Sequence, residues 1–374
     1  MKLMEFEGKE LFREAGIPVP ENRTADNLED LLKASEELGF PLVAKAQVLS
    51  GGRGKRGGIK TAESAYEVEA FAGAMYEDGL TGEKVNKIMV EKSASIKQEF
   101  YLSVTANDKI GCPVMMASAS GGVDIESVPA GDISIEEIDF SIGLQGFQVR
   151  RAIKKWGLGE TQVRAIIAIA LNLYKVYNKY DADLVEINPL VLTEDDEVIA
   201  LDSKVIINDN ALFRQQRFEK TEDRYDNELE YKASIENLSY VKLDGNIGVL
   251  CTGAGLTLAT LDLINDHGGS AANFLESGGA NYANTYKGLQ LVLSDPDVKV
   301  LLINTFGLVS RADVICRGLA DSIKELKPTI PIIASIRGTG EEVARKIFRE
   351  ELNVEPYDNM PDAVKEAIRQ ARDQ

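Results

Sequence analysis

The residues best suited to chemistry fall in two stretches. The first is the run Gly51-Gly52-Arg53-Gly54-Lys55-Arg56-Gly57-Gly58, which follows a short apolar strand where Lys45 shares a face with Val43 and Gln47. Glycines let the backbone approach a ligand and turn its N–H groups inward, and Arg and Lys add charge-assisted hydrogen bonds, so the run suits a polyphosphate. A surface turn with solvated cations has the same composition. Lys45, in a strand otherwise fit for burial, calls for an anionic partner unless it snorkels at a strand edge.

The second stretch is Leu184-Val185-Glu186-Ile187-Asn188-Pro189-Leu190-Val191-Leu192, the polar turn Thr193 to Glu197, and the return Val198-Ile199-Ala200-Leu201-Asp202. It reads as a β-hairpin. With Asp195 at the tip, Asn188 stands opposite Asp202 with Cβ atoms roughly 5 Å apart, and Glu186 shares their face by the period of two. Two carboxylates and an amide oxygen form a hard-oxygen set of the kind Mg²⁺ accepts when phosphates complete its octahedron. Polar hairpin residues facing solvent have the same spacing. Pro189 cannot donate to a ladder and marks a special position.

The elements that must hold these stretches follow from periodicity. Met4, Leu11, Phe12 and Ala15 line one face of an N-terminal helix, which Gly16-Ile17-Pro18 stops. Helices are expected near 26–38 and 63–78, with strands at 41–48, 87–91 and 99–105 and a mixture of short strands and loops over 107–150. Val163, Ile166, Ile167, Ala170, Leu171 and Tyr174 form a helical core stripe with Thr161 as its N-cap. The charge-rich stretch 214–240 reads as an interdomain connection. Beyond it strands and helices alternate: strands at 246–251, 272–275, 298–304 and 331–336, and helices at 255–266, 284–294, 312–326, 340–351 and 361–372. That order implies a parallel sheet with helices on both faces. Ligands of such sheets bind at the C-terminal strand ends, where Thr252-Gly253-Ala254-Gly255, Glu276-Ser277-Gly278-Gly279, Phe306-Gly307-Leu308 and Arg337-Gly338-Thr339-Gly340 stand. The first of these opens a helix and offers an anion its N–H groups and dipole.

Composition narrows the function. The chain of 374 residues carries 42 Lys+Arg against 60 Asp+Glu, a net charge of −18, which disfavours nucleic acid and anionic membranes as partners. No apolar run approaches the ~18 residues of a membrane span, and the acidic N-terminus does not resemble a signal peptide, so a cytoplasmic address is expected. Cys112, Cys251 and Cys316 are widely spaced in apolar contexts and read as buried free thiols. The one histidine, His267, precedes Gly268-Gly269 and reads as the end of a helix, which leaves no multi-histidine metal site.

Taken in order, Phe6-Glu7-Gly8-Lys9-Glu10-Leu11-Phe12, Lys45-x-Gln47-Val48 with the glycine run, Glu186-Ile187-Asn188-Pro189-Leu190, Asn210 to Gln215, Leu243 to Gly248 and Ala272-Asn273-Phe274-Leu275 resemble the β subunit of succinyl-CoA synthetase from end to end. The resemblance implies an α/β protein, an ATP-grasp nucleotide-binding domain over 1–238 followed by a flavodoxin-like parallel-sheet CoA-ligase domain over 239–374. It implies a separate α subunit, in a heterodimer or heterotetramer, that carries the histidine which ATP phosphorylates. By position, Lys45, Gly52, Arg53 and Gly54 would hold the nucleotide phosphates and Glu91, Ala94 and Glu99 the rest of the nucleotide, with Glu91 and Glu99 around adenine and ribose. Asn188 and Asp202 would ligate Mg²⁺. Glu186 would be the catalytic carboxylate that orients the phosphohistidine, and the helix opening at Gly253, Ala254 and Gly255 would face it at the other site.

Departures from the family pattern cluster at the acid pocket, expected at Thr252, Leu308, Val309, Ser310 and Arg337. Thr252 replaces the usual Asn, and Phe306-Gly307-Leu308-Val309-Ser310-Arg311 replaces Phe-Gly-Gly-Ile-Val-Arg. Ser335-Ile336-Arg337-Gly338 replaces Arg-Leu-Glu-Gly, and Ser277 to Asn281 replace Val-Gly-Gly-Gly-Ala. Succinate and another small acid, such as malate or sulfoacetate, both stand as substrates. An ATP-grasp amine ligase and a non-catalytic nucleotide-binding module are the competing functions, although a flavodoxin-like second domain does not suit the former.

Overall fold

The computed structural model describes residues 1–225, 227–276, 282–308 and 310–373, with the backbone alone for 282–284. The chain divides into two compact units, Met1–Glu219 and Lys220–Gln374.

The first unit runs α1 (Glu5–Glu14), β1 (Asn22–Ala25), α2 (Leu28–Leu38), β2 (Leu42–Ala46), β3 (Ile59–Ala62), α3 (Ala65–Asp78), β4 (Ile88–Lys92), β5 (Ile96–Asn107), β6 (Cys112–Ser118), β7 (Ile133–Glu137), α4 (Gly146–Ala152), α5 (Glu160–Lys179), β8 (Ala182–Thr193), β9 (Val198–Ala200) and β10 (Lys204–Ile207). Its strands form two antiparallel sheets, ordered β1-β4-β2-β3 and β10-β8-β5-β6-β7, with β9 added to β8. The smaller sheet buries Leu42, Ala44, Ile88 and Val90 against Leu31 of α2 and Val68 of α3. Asn27 starts α2 by accepting the Asp30 N–H at 2.9 Å. The larger sheet packs on α5, and Phe100 of β5 stacks on Trp156 with ring centroids 4.4 Å apart.

Local details depart from sequence expectation in instructive ways. Leu11 and Phe12 of α1 are buried as the stripe requires, and Gly16 with φ 78° ends the helix, yet Glu5 and Lys9 are buried as well. The α5 stripe is core, but its most buried line is Ile166, Ile169, Ala170, Leu173 and Val176, with Val163, Ile167, Leu171 and Tyr174 on its flanks. Gly159, not Thr161, is the N-cap, and Thr161 lies inside the first turn. The stretch 107–150, read as short strands and loops, also contains α4.

The second unit runs α6 (Glu228–Ile235), β11 (Ser239–Lys242), β12 (Ile247–Cys251), α7 (Ala254–Asp266), β13 (Asn273–Glu276), α8 (Tyr282–Leu293), β14 (Val300–Gly307), α9 (Ala312–Leu326), β15 (Ile332–Gly338), α10 (Glu341–Leu352) and α11 (Met360–Asp373). The sheet order is β11-β13-β12-β14-β15, in which β12 to β15 are parallel and β11 is antiparallel. Counting from β12, the parallel strands are ordered 2-1-3-4, so the flavodoxin-like expectation holds. Near-continuous apolar strands bury one face under α8, α9 and α10 and the other under α7 and α11. α6 and β11 fall in the segment read as an interdomain connection. From Lys220 on that segment is part of the second unit, where β11 pairs with β13 along its whole length. His267 is the C-cap of α7, its Nδ1 3.0 Å from the Leu263 carbonyl, with Gly268 following at φ 72°. None of the three cysteines is in a disulfide; Cys251 and Cys316 are buried, whereas Cys112, expected to be buried, is half-buried at the start of β6.

Candidate functional site

The glycine run folds as consecutive tight turns rather than an open flap. The Lys55 N–H reaches the Gly52 carbonyl at 3.0 Å and the Gly58 N–H the Arg53 carbonyl at 2.8 Å, while Gly52 and Gly57 take φ 69° and 85°. Gly58 also packs so tightly that a Cβ there would come within 2.8 Å of Leu80. The three cations separate. Lys55 points out to Asp124 at 2.8 Å, Arg56 donates to Thr81 Oγ1 at 3.0 Å, and Arg53 turns inward to 8% exposure.

Arg53 enters a buried cluster of charges built from four separate parts of the fold. Lys45 Nζ, from β2, lies 2.9 Å from Glu5 Oε1 on α1 and 2.6 Å from Glu91 Oε1 on β4, and it donates to the Leu201 carbonyl at 2.7 Å. Lys9 Nζ, one turn along α1, lies 2.7 Å from Glu5 and also pairs with Glu91. Arg53 pairs with Glu5 and reaches Asp202 Oδ1 at 3.2 Å. Three cations thus meet three carboxylates. Burial alone pushes the Glu5 carboxyl up, but Arg53, Lys45 and Lys9 outweigh it and hold the group well below the usual carboxylate range. Burial likewise pulls Lys45 down, and Glu5 and Glu91 more than restore it, so its pKa lies above that of an ordinary lysine. Burial and the Glu5 charge push the Asp202 carboxyl up against the opposing pull of Arg53 and Lys45.

The 184–202 stretch pairs in the expected register: Leu190, Val191 and Leu192 of β8 face Ala200, Ile199 and Val198 of β9, and Glu186 faces Lys204 of β10. Continued through the gap between those two ladders, where the Leu201 N–H donates to the Pro189 carbonyl at 3.1 Å, the same register sets Asn188 opposite Asp202. The β5–β8 pairing shifts register between Phe100 and Leu102, at the point facing Asn188 and Pro189, as expected for a proline that cannot donate. The Asn188 side chain is clamped by the loop after β6, accepting the Gly122 N–H at 2.8 Å and donating to the Val123 carbonyl at 3.0 Å. Glu99 lies against the same loop, since a Cβ on Gly122 would meet its Oε2 at 2.5 Å. The loop therefore ties a nucleotide candidate to a metal candidate. Ala94 is half-buried in the connection from β4 to β5. Glu91, expected around adenine and ribose, has its carboxylate sealed beneath Lys9 and Lys45 at 2% exposure.

Glu186 accepts the Tyr101 O–H at 2.9 Å, and burial pushes its carboxyl above the usual range. Among the described residues no group of three or more His, Cys, Asp and Glu is placed to hold a metal. The donors present are instead oxygens with capacity to spare: Asn188 Oδ1 accepts one hydrogen bond of two, and Asp202 engages Arg53 and Ser203 N through Oδ1. A hard ion that takes one or two protein oxygens and completes its shell from phosphates and water fits this set.

In the second unit, Thr252 and Phe306 stand at the C-terminal ends of β12 and β14, where the strand order reverses. Thr252 Oγ1 accepts the Phe306 N–H at 3.0 Å. Gly253 is the N-cap of α7 at φ 96°, with no cap from its own side, and a Cβ on it or on Gly255 would meet nothing within 4 Å. Among the described residues nothing crowds Gly253 or Gly255 at the first turn of α7. Arg337 is in register with Phe306, its Nε 3.5 Å from Glu341, two strands and about 10 Å from Thr252. Leu308 is 74% exposed and Ser310 half-buried, while Val309 and Ser277 to Asn281 lie outside the described residues. Gly307 and Gly338 meet so closely that a Cβ on Gly338 would lie 2.2 Å from the Gly307 oxygen.

Sequence reasoning assigned no role to Glu5, Lys9, Tyr101 or Gly122. A signal for the first two existed: Glu5, Lys9 and Phe12 are spaced i, i+4, i+7, so two charges lie on the line of a buried aromatic.

Two family models match in succession, an ATP-grasp domain over residues 2–192 and a CoA-ligase over 250–366. The molecule is therefore an ATP-grasp unit joined to a CoA-ligase unit. The ADP-forming sulfoacetate–CoA ligase subunit of Bilophila wadsworthia is 41% identical over 98% of this chain and 98% of its own. The β subunit of the ADP-forming succinate–CoA ligase of Aquifex aeolicus is 41% identical over 100% of both. This chain belongs to the family of ADP-forming acid–CoA ligase β subunits. The solved ATP citrate lyase of Methanothrix soehngenii shares the fold, with a TM-score of 0.75 at 19% identity over 98% of this chain and 99% of that one. No helix among the described residues is long and apolar enough to cross a membrane.

Proposed function

We propose that this chain binds ATP in its first unit and passes the γ-phosphoryl group to a histidine of a separate α subunit. The P–O bond to ADP breaks as a P–N bond to the imidazole forms. A carboxylate oxygen of the acid then takes the phosphoryl group, and the CoA thiol displaces phosphate from the acyl phosphate. Lys45, Arg53 and the backbone of Gly52 and Gly54 hold the phosphates, with Ala94 and Glu99 along the rest of the nucleotide and Glu91 acting through Lys45. Asn188 and Asp202 would hold Mg²⁺, which supplies charge neutralisation on the phosphates. Glu186, fixed by Tyr101, orients the imidazole and stabilises its cation. The opening of α7 at Gly253–Gly255 faces the phosphohistidine at the acid site.

The observation that carries this reading is the convergence of Lys45, Arg53 and Asp202 from a strand, a glycine loop and the residue facing Asn188. The test is to purify the chain with its co-purifying partner, add γ-labelled ATP, and look for acid-labile, alkali-stable label on a histidine of the partner. Absence of label on every co-purifying chain overturns the reading.

A second reading concerns the acid. Arg337 replaces a family glutamate at the end of β15 while Ser335 replaces a family arginine, which moves a positive charge next to Phe306 and leaves the motif one unit more positive, and two relatives at 41% and 40% identity are sulfoacetate–CoA ligase subunits. These observations favour a sulfonated short acid over succinate. CoA-dependent ADP release with sulfoacetate, malate and succinate decides it; a clear preference for succinate refutes the second reading and leaves the first intact.

A further inference from the structure

Among the described residues Lys9 is the most deeply buried charge, at 0% exposure, and its ion pairs are with neither the glycine loop nor Asp202. Its two partners are Glu5 and Glu91, and these are the carboxylates that grip Lys45 and, through Glu5, Arg53. α1 is pressed onto the site by close approaches. A Cβ on Gly8 would come within 2.5 Å of Ser203 Oγ, which itself donates to the Glu5 carbonyl at 2.8 Å. The Phe6 N–H donates to Gln47 Oε1 at 3.1 Å, and Gln47 Nε2 to the Lys45 carbonyl at 3.1 Å. Through Glu5, Phe6 and Gln47 this helix end is thus tied to the strand and loop that carry the two cations.

We propose that Glu5 and Lys9 are positioning residues for the nucleotide phosphates: Glu5 aims Lys45 and Arg53 together, and Lys9 neutralises Glu5 and Glu91 so that those carboxylates do not repel the incoming anion. This rests on the reading that Lys45 and Arg53 meet phosphate. The charge count makes the argument concrete. With Lys9 the cluster is neutral before ATP arrives; without it, two cations face three carboxylates, and an added polyphosphate meets net negative charge in a buried setting where Coulomb terms are weakly screened. The effect therefore scales with ligand charge.

The test is calorimetric titration of the full chain with ATP and with AMP, for the wild type, Lys9→Met, the double variant Glu5→Gln with Lys9→Met, and Lys45→Met. The double variant removes one charge of each sign, so it reports even where Lys9→Met alone does not fold. ATP affinity is expected to fall about tenfold in Lys9→Met and by less in the double variant, whose cluster is neutral again and lacks only the aim that Glu5 gives Lys45 and Arg53, while AMP affinity stays within about twofold in both. A general structural defect would weaken both ligands alike. Wild-type ATP affinity in a folded Lys9 variant, or equal losses for ATP and AMP, overturns the proposal. If Lys45→Met keeps wild-type ATP affinity, the phosphate-site reading falls and this proposal with it; if Lys45→Met loses ATP and both Lys9 variants keep it, the positioning role alone falls.

Discussion

Replacing Thr252 by valine isolates one hydrogen bond at the proposed acid site. Valine keeps the shape of threonine and removes the hydroxyl, so the Phe306 N–H loses the acceptor it has at 3.0 Å. The ends of β12 and β14 then lose their side-chain tie across the point where the sheet order reverses and keep only the backbone bond from the Thr252 N–H to the Asn304 carbonyl at 3.3 Å. A neutral hydrogen bond at a partly exposed position contributes about 0.5–1 kcal/mol, which is about a two- to fivefold change in an equilibrium constant. Thr252→Val is therefore expected to raise KM for the acid by about that factor, and Thr252→Ser, which retains the hydroxyl, to stay near the wild type. The assay is steady-state ADP release by the chain with its co-purified partner, varying the acid and ATP in turn. KM for ATP should not move, because every residue assigned to the nucleotide lies in the first unit, Met1–Glu219. Equal effects of valine and serine, or a shift in KM for ATP as large as that for the acid, refute the reasoning.

The remaining expectations concern charge and backbone. Tyr101→Phe removes a donor to the Glu186 carboxylate, and since that hydrogen bond favours the ionised form, the Glu186 pKa, already raised by burial, rises further. The acidic limb of the pH profile for histidine labelling should move to higher pH by up to about one unit, and an unmoved limb counts against Glu186 as the working carboxylate. Asp202→Asn should raise the Mg²⁺ concentration for half-maximal labelling by about tenfold or more; an unchanged Mg²⁺ titration argues against Asp202 as a ligand. Gly338→Ala places a Cβ 2.2 Å from the Gly307 oxygen at φ 95°, and the second unit should lose about 3 kcal/mol or more in urea unfolding. A melting curve identical to the wild type would mean the strand ends relax freely.

Much of the scaffold was legible because its signals are local. In the second unit the central strands are near-continuous apolar runs and the helices that cover them bury one apolar face, so periodicity located β12, β14 and β15 and the helices between them to within a few residues. The hairpin register was legible too, since the turn at Thr193–Glu197 leaves one pairing that buries Leu190 and Leu192 together with Ala200 and Val198. α6 and β11 escaped because β11 has one buried residue in four and derives its strand character from pairing with β13, a partner far along the chain.

Residue order alone thus determined which residue types were available, that Asn188 faces Asp202, that glycines stand at the C-terminal strand ends, and that the chain resembles an acid–CoA ligase β subunit. Only the tertiary structure decided what each charge does. It split the cations of the glycine run, sending Lys55 to the surface, leaving Arg56 half-buried and turning Arg53 inward, and it recruited Glu5 from the first helix and Glu91 from β4 as the anionic partners that Lys45 required, with Lys9 as their further counter-charge. The physical reason is range. Helix and strand preferences act over a few residues, whereas a buried charge is tolerable only when an opposite charge arrives from wherever the chain can bring one, and that arrival is a property of the folded whole.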